Sequence, residues 1–279
     1  MLIDRRWERM SARRFDELKR LDDASRDSMV AVLPLGATEQ HGPHLPVSVD
    51  SAILGTIVER TIDSLPDETP ATFLPLLPIG KSDEHSRYAG TLTLSAETLL
   101  RVIGEIGNGV ASSGFRKLVL LNSHGGQVSV LDIAARELRV KHGMAAVVCN
   151  WWSLGLPDGL YPPDELKHGI HAGALETSIM LAAHDDQVEM ERAERFEPLS
   201  TSMEADYERL GPLSWARGGQ MAWQAQDLHL AGACGDASAA TAEAGEATLQ
   251  HTVAGLVELL AEVSRLPMAV LANEPDLGR

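Results

Sequence analysis

Cysteine is nearly absent: Cys149 and Cys234 are the two in 279 residues. Neither belongs to a CxxC pair, which excludes a zinc knuckle or a thiol-redox motif, and the count suits a reducing compartment. Aromatic residues make up 4%, so aliphatics and alanine must supply the core, as is ordinary for an α/β enzyme. Positive charge is in deficit, with 24 Lys and Arg against 40 Asp and Glu and a net charge of −16. That argues against nucleic acid and anionic membrane as partners, since both require clustered basic residues. No apolar run approaches the ~20 residues of a membrane helix. Arg5, Arg6, Arg9, Arg13 and Arg14 lead into no signal-peptide core, and the expectation is a cytoplasmic protein. There is also no GxSxG elbow, no P-loop, no dinucleotide fingerprint and no cysteine beside a motif histidine.

What is present is an alternation of apolar runs and amphipathic stretches. Ser28–Leu35, Phe73–Ile79, Lys117–Leu121 and Ala145–Cys149 read as strands, the second interrupted by Pro75 and Pro78. Helical spacing follows at residues 50–65, from the N-cap candidate Ser95 to Gly114, at 128–138, from the His168–Ser178 segment to about His184, and from about Ser238 to Leu266. Residues 4–22 place Trp7, Met10, Phe15 and Leu18 on one helical stripe. Leu156–Lys167 reads as a loop, and residues 190–235 show no strong period. Strand–helix alternation predicts parallel βαβ units. No repeat or linker divides the chain, so one domain over residues 1–279 is expected.

The chemistry collects where strands end. After the first strand comes Ala37-Thr38-Glu39-Gln40-His41-Gly42-Pro43-His44-Leu45-Pro46, then Asp50. Residues i and i+2 of an extended segment project to one side, so Glu39 and His41 can face one point, to which Asp50 can return after the turn. After the third strand comes Asn122-Ser123-His124-Gly125-Gly126. Parallel sheets bind ligands beyond their carboxyl ends, which places His124 near Glu39 and His41. His171 and Glu176 stand near a helix start. Carboxylate oxygen and imidazole nitrogen suit Zn, Mn and Fe(II), and this donor set is enough for two divalent ions sharing a carboxylate.

Each residue also has a plainer reading. Asp50 precedes a helix and can be its N-cap. Glu176 can be a first-turn carboxylate favoured by the helix dipole. His171 can be a loop histidine bonded to backbone, His124 a turn residue, and His44 a substitute for His41, though one register out. His142, His184, His229 and His251 read as surface or packing residues, Asp185 and Asp186 as a solvated helix end. Trp151, Trp152, Trp215 and Trp223 read as core, with pocket or interface as alternatives.

Taken in order, four blocks resemble the creatininase family of metal-dependent amidohydrolases. They are Leu33–Pro46 with Asp50; Glu84-His85 with Gly90-Thr91; Asn122–Gly126; and His171-Ala172-Gly173 with Glu176-Thr177-Ser178. Gly235-Asp236 is a weaker fifth. The resemblance implies a three-layer α/β/α sandwich with a central, mostly parallel sheet, and a homo-oligomer, often a hexamer. It implies a dinuclear site of Zn plus Mn or Fe, with Glu39 and His124 on one ion, His41 on the other and Asp50 between them. The family's creatininase proper carries a carboxylate two residues after the third-block histidine. Gly126 stands there in this chain, so Glu176 is expected to supply that carboxylate. His171 matches the family's proton-transfer histidine, and Ser82 and His85 lie on the loop that borders substrate.

The expected activity is hydrolysis of a C–N bond, an amide or cyclic amide, in a small polar substrate, with a metal-bridging hydroxide as nucleophile and His171 and Glu176 as the catalytic pair. The alternatives are hydrolysis of a C–C bond in a cyclic polyol ketone at the same site, and a non-catalytic metal- or metabolite-binding subunit.

Overall fold

The computed structural model describes residues 3–212 and 218–272. Its central sheet has four parallel strands: β1 (Val30–Leu35), β2 (Ala71–Phe73), β3 (Lys117–Asn122) and β4 (Ala145–Asn150), in spatial order β2-β1-β3-β4. Leu35 pairs with Asn122 and Asn122 with Asn150, so β1, β3 and β4 end level with one another. Strands β1 and β3 are buried along their whole length. A sheet covered on both faces needs continuous apolar runs rather than alternation, which is what these segments show.

Ten helices are described: α1 (Ala12–Lys19), α2 (Asp23–Ser28), α3 (Val49–Ser64), α4 (Ala96–Ser112), α5 (Val128–His142), α6 (Pro163–His168), α7 (Ala174–Ala183), α8 (Leu199–Asp206), α9 (Ala225–Leu228) and α10 (Ala242–Arg265). Alternating strand residues sort them into layers. Val30, Val32, Val119 and Leu121 pack with Ile53 and Ile57 of α3, Ile179 of α7 and Leu256 of α10. Ala31, Leu33, Leu118 and Leu120 pack on the other face with Leu99 and Ile103 of α4 and Leu131 and Leu138 of α5. Each large side chain buried this way contributes about 1.5–3 kcal/mol, enough that a helix cannot exchange faces cheaply. The result is the expected three-layer α/β/α sandwich.

The same sorting locates the site. The chain leaves β1 for α3 on one face and leaves β3 for α5 on the other. Adjacent strands whose connections depart to opposite faces open a crevice at their carboxyl ends. The loops bearing Glu39, His41 and His124 begin at that crevice.

Several local expectations differ from the structure. The helix anticipated over residues 4–22 is divided into a 3₁₀ turn, Trp7–Arg9, and α1, because the Ser11 side chain accepts the Arg14 N–H and starts a new helix. The apolar stripe survives the break, with the Trp7 ring 4.5 Å from Phe15 and 5.2 Å from Phe115. The strand anticipated over Phe73–Ile79 ends at Phe73, since Pro75 and Pro78 have no N–H to give. Leu77 makes only an isolated bridge to Leu35. The loop anticipated at Leu156–Lys167 contains α6, which starts at Pro163, where proline is favoured. Six residues are too few to show an apolar period. Helix α10 starts at Ala242 rather than Ser238, with Thr241 accepting the Ala244 N–H.

The irregular segment 190–235 is held by small pieces, Arg195–Phe196 pairing with Gly235–Asp236 and Leu210–Gly211 with Gly219–Gln220. Trp151 is buried edge-on against Trp152, and Trp223 donates Nε1–H to the Pro212 carbonyl at 2.8 Å. Trp215 lies outside the described residues. Among the described residues no helix is long and apolar enough to cross a membrane.

Candidate metal centre

The loop after β1 is fixed before its side chains are considered. The Glu39 N–H donates to the Val47 carbonyl at 2.9 Å, and backbone bridges join Thr38 to Leu92 and His41 to Leu45. Glu39 and His41 are buried beneath it. The chain then enters α3, where the N-cap residue is Ser48 and Asp50 is the second helical residue. Asp50 Oδ2 makes no hydrogen bond. Its carboxylate faces the strand ends instead of the helix N–H groups, so the capping reading of Asp50 is set aside.

Two donor sets meet at Asp50. Its Oδ1 lies 3.7 Å from His41 Nε2, and Glu176 Oε2 lies 3.9 Å from that same nitrogen. Its Oδ2 lies 3.5 Å from His124 Nδ1, which is 3.2 Å from Glu39 Oε1. Ligands ~2.1 Å from a tetrahedral ion stand ~3.4 Å from one another, close to these separations. His41, Asp50 and Glu176 form one group whose ligand atoms could surround a single ion. Glu39, Glu84 and His124 also cluster, but Glu84 meets His124 at Nε2, the nitrogen opposite the one that Glu39 and Asp50 face.

Backbone carbonyls assign the imidazole protons. A carbonyl can only accept, so His41 carries its proton on Nδ1, 3.0 Å from the Glu39 carbonyl, and keeps a lone pair on Nε2. His124 carries its proton on Nε2, 2.8 Å from the Lys81 carbonyl, and turns Nδ1 to the carboxylates. His171 donates Nε2–H to the Gln40 carbonyl at 2.7 Å, leaving Nδ1 unprotonated 3.8 Å from Glu39 Oε1. His85 accepts from Gln40 Nε2 through Nδ1 at 2.7 Å and points Nε2–H at Glu39 Oε1, 3.3 Å away. Such outer hydrogen bonds orient metal-binding histidines.

The electrostatics call for a cation. Burial pushes the Asp50 carboxyl well above its ordinary value, and Glu39 adds to the shift. Burial likewise raises Glu176, against the opposing pull of His171 and the Ala172 N–H. Burial and then His171 hold His41 well below the usual imidazole value, and the same causes lower His85. Burial alone would lower His124, but Glu39, Glu84 and Asp50 carry it well above the ordinary value. Glu39 Oε2, His41 Nε2 and Asp50 Oδ2 are buried without a hydrogen bond. Buried polar atoms are rarely left so, and the one imidazole these carboxylates favour as a cation, His124, faces three of them, Glu39, Glu84 and Asp50. The donors fit divalent ions.

The structure brings together all of Glu39, His41, Asp50, His124, His171 and Glu176. His171 pairs its backbone with Cys234. Ala172 has a φ of 53°, the one non-glycine residue in the left-handed region among those described, and its N–H meets Glu176 Oε2 at 2.6 Å. Ser82 and His85 are buried against the donors, Ser82 Oγ lying 3.4 Å from His124 Nε2. His44 is elsewhere: its Nε2 bonds the Thr177 hydroxyl at 2.9 Å and its ring stacks on Phe196.

Three residues were not among the sequence candidates. Gln40 ties the site to distant loops, reaching His85, the Gly232 carbonyl at 2.8 Å and the Gly42 N–H at 2.9 Å. Glu84 lies 3.2 Å from His124 Nε2. Glu165 anchors the segment that carries Glu176. Gln40 and Glu84 stand inside the motif blocks, which was the available signal; nothing near Glu165 in the sequence pointed to it.

Comparisons with known proteins give the family and the fold. A family model for creatininase, described as creatinine amidohydrolase, matches residues 16–260. A mycofactocin precursor peptide peptidase of Mycobacterium tuberculosis is 36% identical over 168 residues, 58% of this chain, and the match spans 61% of that protein. A protein of the same name from Mycobacterium ulcerans is 33% identical over 246 residues, 86% of this chain and 88% of the relative. A crystal structure of creatinine amidohydrolase (creatininase) superposes with a TM-score of 0.71 at 25% identity, covering 94% of this chain and 99% of that one.

Proposed function

The chain belongs to the creatininase family, a family of metal-dependent hydrolases, and on that premise we propose that it is a dinuclear enzyme that hydrolyses the C–N bond of an amide in a small polar substrate. The observation that carries this reading is the Asp50 carboxylate, whose two oxygens face two different histidines, His41 and His124. Glu39, Asp50 and His124 would hold one ion, and His41, Asp50 and Glu176 the other, Zn with Mn or Fe. When bound, such a pair polarises a carbonyl and lowers the pKa of a water.

The protein's own groups do the rest. His171 is pinned through Nε2–H to the Gln40 carbonyl, so its Nδ1 is the atom that takes a proton and returns it to the departing nitrogen. The Ala172 N–H holds Glu176 Oε2, the oxygen 3.9 Å from His41 Nε2, and so fixes this carboxylate toward the second ion. Ser82 and His85 border the substrate beside His124 and Glu39. Burial of the donors keeps bulk water from competing for them. Amide cleavage draws support from the two mycobacterial relatives, both named as peptidases of a precursor peptide, since a peptide bond is an amide.

Metal content of the purified protein, compared with Asp50→Asn, tests the site. About two equivalents per chain, lost in the variant along with activity on an amide panel, is the expected result. About one equivalent, unchanged by the substitution, overturns the dinuclear reading. Products decide the bond: an amine is released by C–N cleavage, whereas an open-chain acid from a cyclic ketone without amine overturns it in favour of C–C hydrolysis.

A further inference from the structure

Glu84 sits in the short turn Asp83–His85, between β2 and α4, and reaches His124 from behind. Its Oε1 is 3.2 Å from His124 Nε2, while Glu39 and Asp50 face the opposite nitrogen, Nδ1. The imidazole therefore lies between two sets of carboxylates. The Lys81 carbonyl at 2.8 Å shares the Nε2–H with Glu84. Gly126 is the second part of the arrangement. A Cβ there would fall inside the contact radius of Glu84 Oε1 and 2.5 Å from His124 Nε2. The Glu84 carboxylate fills the space into which any side chain at position 126 would project.

We propose that Glu84 is a positioning residue for His124, acting as the outer carboxylate of a carboxylate–histidine–metal triad, and that Gly126 is required because it leaves room for that carboxylate. An anion on the outer N–H fixes the ring and strengthens the inner nitrogen as a ligand, and loss of such a partner typically lowers metal affinity ~10–100-fold. The inference rests on the reading of His124 as a metal ligand and adds to it two residues that act on the ring from the side opposite Glu39 and Asp50. It also gives the glycine at 126 a positive role: the carboxylate comes from a segment some forty residues earlier, through space rather than along the chain.

Cobalt(II) binding to the metal-stripped protein, followed by its visible absorption against a competing chelator, tests this without reference to activity. Glu84→Gln should lower cobalt affinity ~10–100-fold and alter the ligand-field bands, while thermal unfolding of the metal-free protein stays close to that of the parent. Glu84→Asp should recover part of the loss. Gly126→Ala should lower cobalt affinity at least as much, because its Cβ would displace the Glu84 carboxylate and also press on the His124 ring. Parental affinity and spectrum in Glu84→Gln, or in Gly126→Ala, would overturn the proposal. Parental cobalt binding in His124→Ala would instead overturn the ligand reading on which it rests.

Discussion

Glu165 Oε1 accepts the Ala174 N–H at 2.6 Å, so a carboxylate from α6 caps α7 from nine residues away. Its Oε2 accepts the Asp236 N–H at 2.8 Å, which ties the same carboxylate to the strand that flanks Cys234. A Cβ on Gly169 or Gly173 would overlap Glu165 Oε1. Because α7 carries Glu176, this cap sets where a metal donor stands. Glu165→Ala should cost about 1–2 kcal/mol of stability by leaving two N–H groups unpaired. Cobalt affinity should fall with it, measured by the same titration as above. Unchanged denaturant midpoints would remove the capping role.

Lys117 is fully buried at the start of β3, and its ammonium donates to the carbonyls of Val263, Ser264 and Leu266 at 2.6–2.9 Å. Val263 and Ser264 stand in the last turn of α10 and Leu266 is its C-cap, where carbonyls run short of helical donors; the Val263 carbonyl also accepts the Leu266 N–H at 3.2 Å. Lys117→Met keeps the stem and removes the donors. It should destabilise the protein by about 1–3 kcal/mol, visible as an earlier urea midpoint with unchanged slope.

Helices α7 and α10 approach so closely that a Cβ on Gly245 would overlap the Ser178 carbonyl and stand 2.8 Å from the Ile179 nitrogen. Gly245→Ala improves intrinsic helix propensity by about 1 kcal/mol. It should nonetheless lower stability, by about 1–3 kcal/mol, because overpacking outweighs propensity here. A raised melting temperature would contradict the close approach.

Asp50→Asn should change sign with metal. In the metal-free protein, burial and Glu39 make the ionised Asp50 carboxyl unfavourable. The asparagine variant should then be more stable than the parent at pH 7, where the parent carboxyl must either ionise in place or hold a proton. With metal added, the parent gains binding free energy that the variant lacks, so the order reverses. Thermal scans of both proteins with and without chelator measure this; the same order in both conditions would count against Asp50 as a ligand.

His44 is held down to about 4 by burial, with His171 adding to the shift. The unfolded chain binds that proton near pH 6.5. Between these values the unfolded state holds more protons, so stability falls as pH falls through the window. In the metal-free protein, His44→Asn should reduce the number of protons taken up on unfolding at pH 5 by about one. Urea midpoints from pH 4.5 to 7 give that number, and an unchanged slope would show that His44 is protonated in the folded state.

Much of this was determined by the sequence itself. Continuous apolar runs at residues 30–35 and 117–122 specify strands covered on both faces, and the alternating placement of Val32 and Leu33 already implies two layers of helices. Glu39 and His41 share a side because an extended segment repeats every two residues. His124 follows a parallel strand, so it belongs at the same edge. These are local rules, and short-range geometry is what a sequence encodes most directly.

Tertiary structure decided the rest. Whether Asp50 caps a helix or faces two histidines depends on where α3 packs, which no window around residue 50 contains. The sequence shows a glycine at position 126; only folding shows that Glu84, reaching across from another loop, occupies the space beside it. Glu165 is invisible for the same reason, since its partners at residues 174 and 236 are set by how three loops meet. A carboxylate's role is fixed by the atoms within about 3–4 Å of it, where Coulomb and hydrogen-bond energies are large, and those neighbours come together only when distant segments pack.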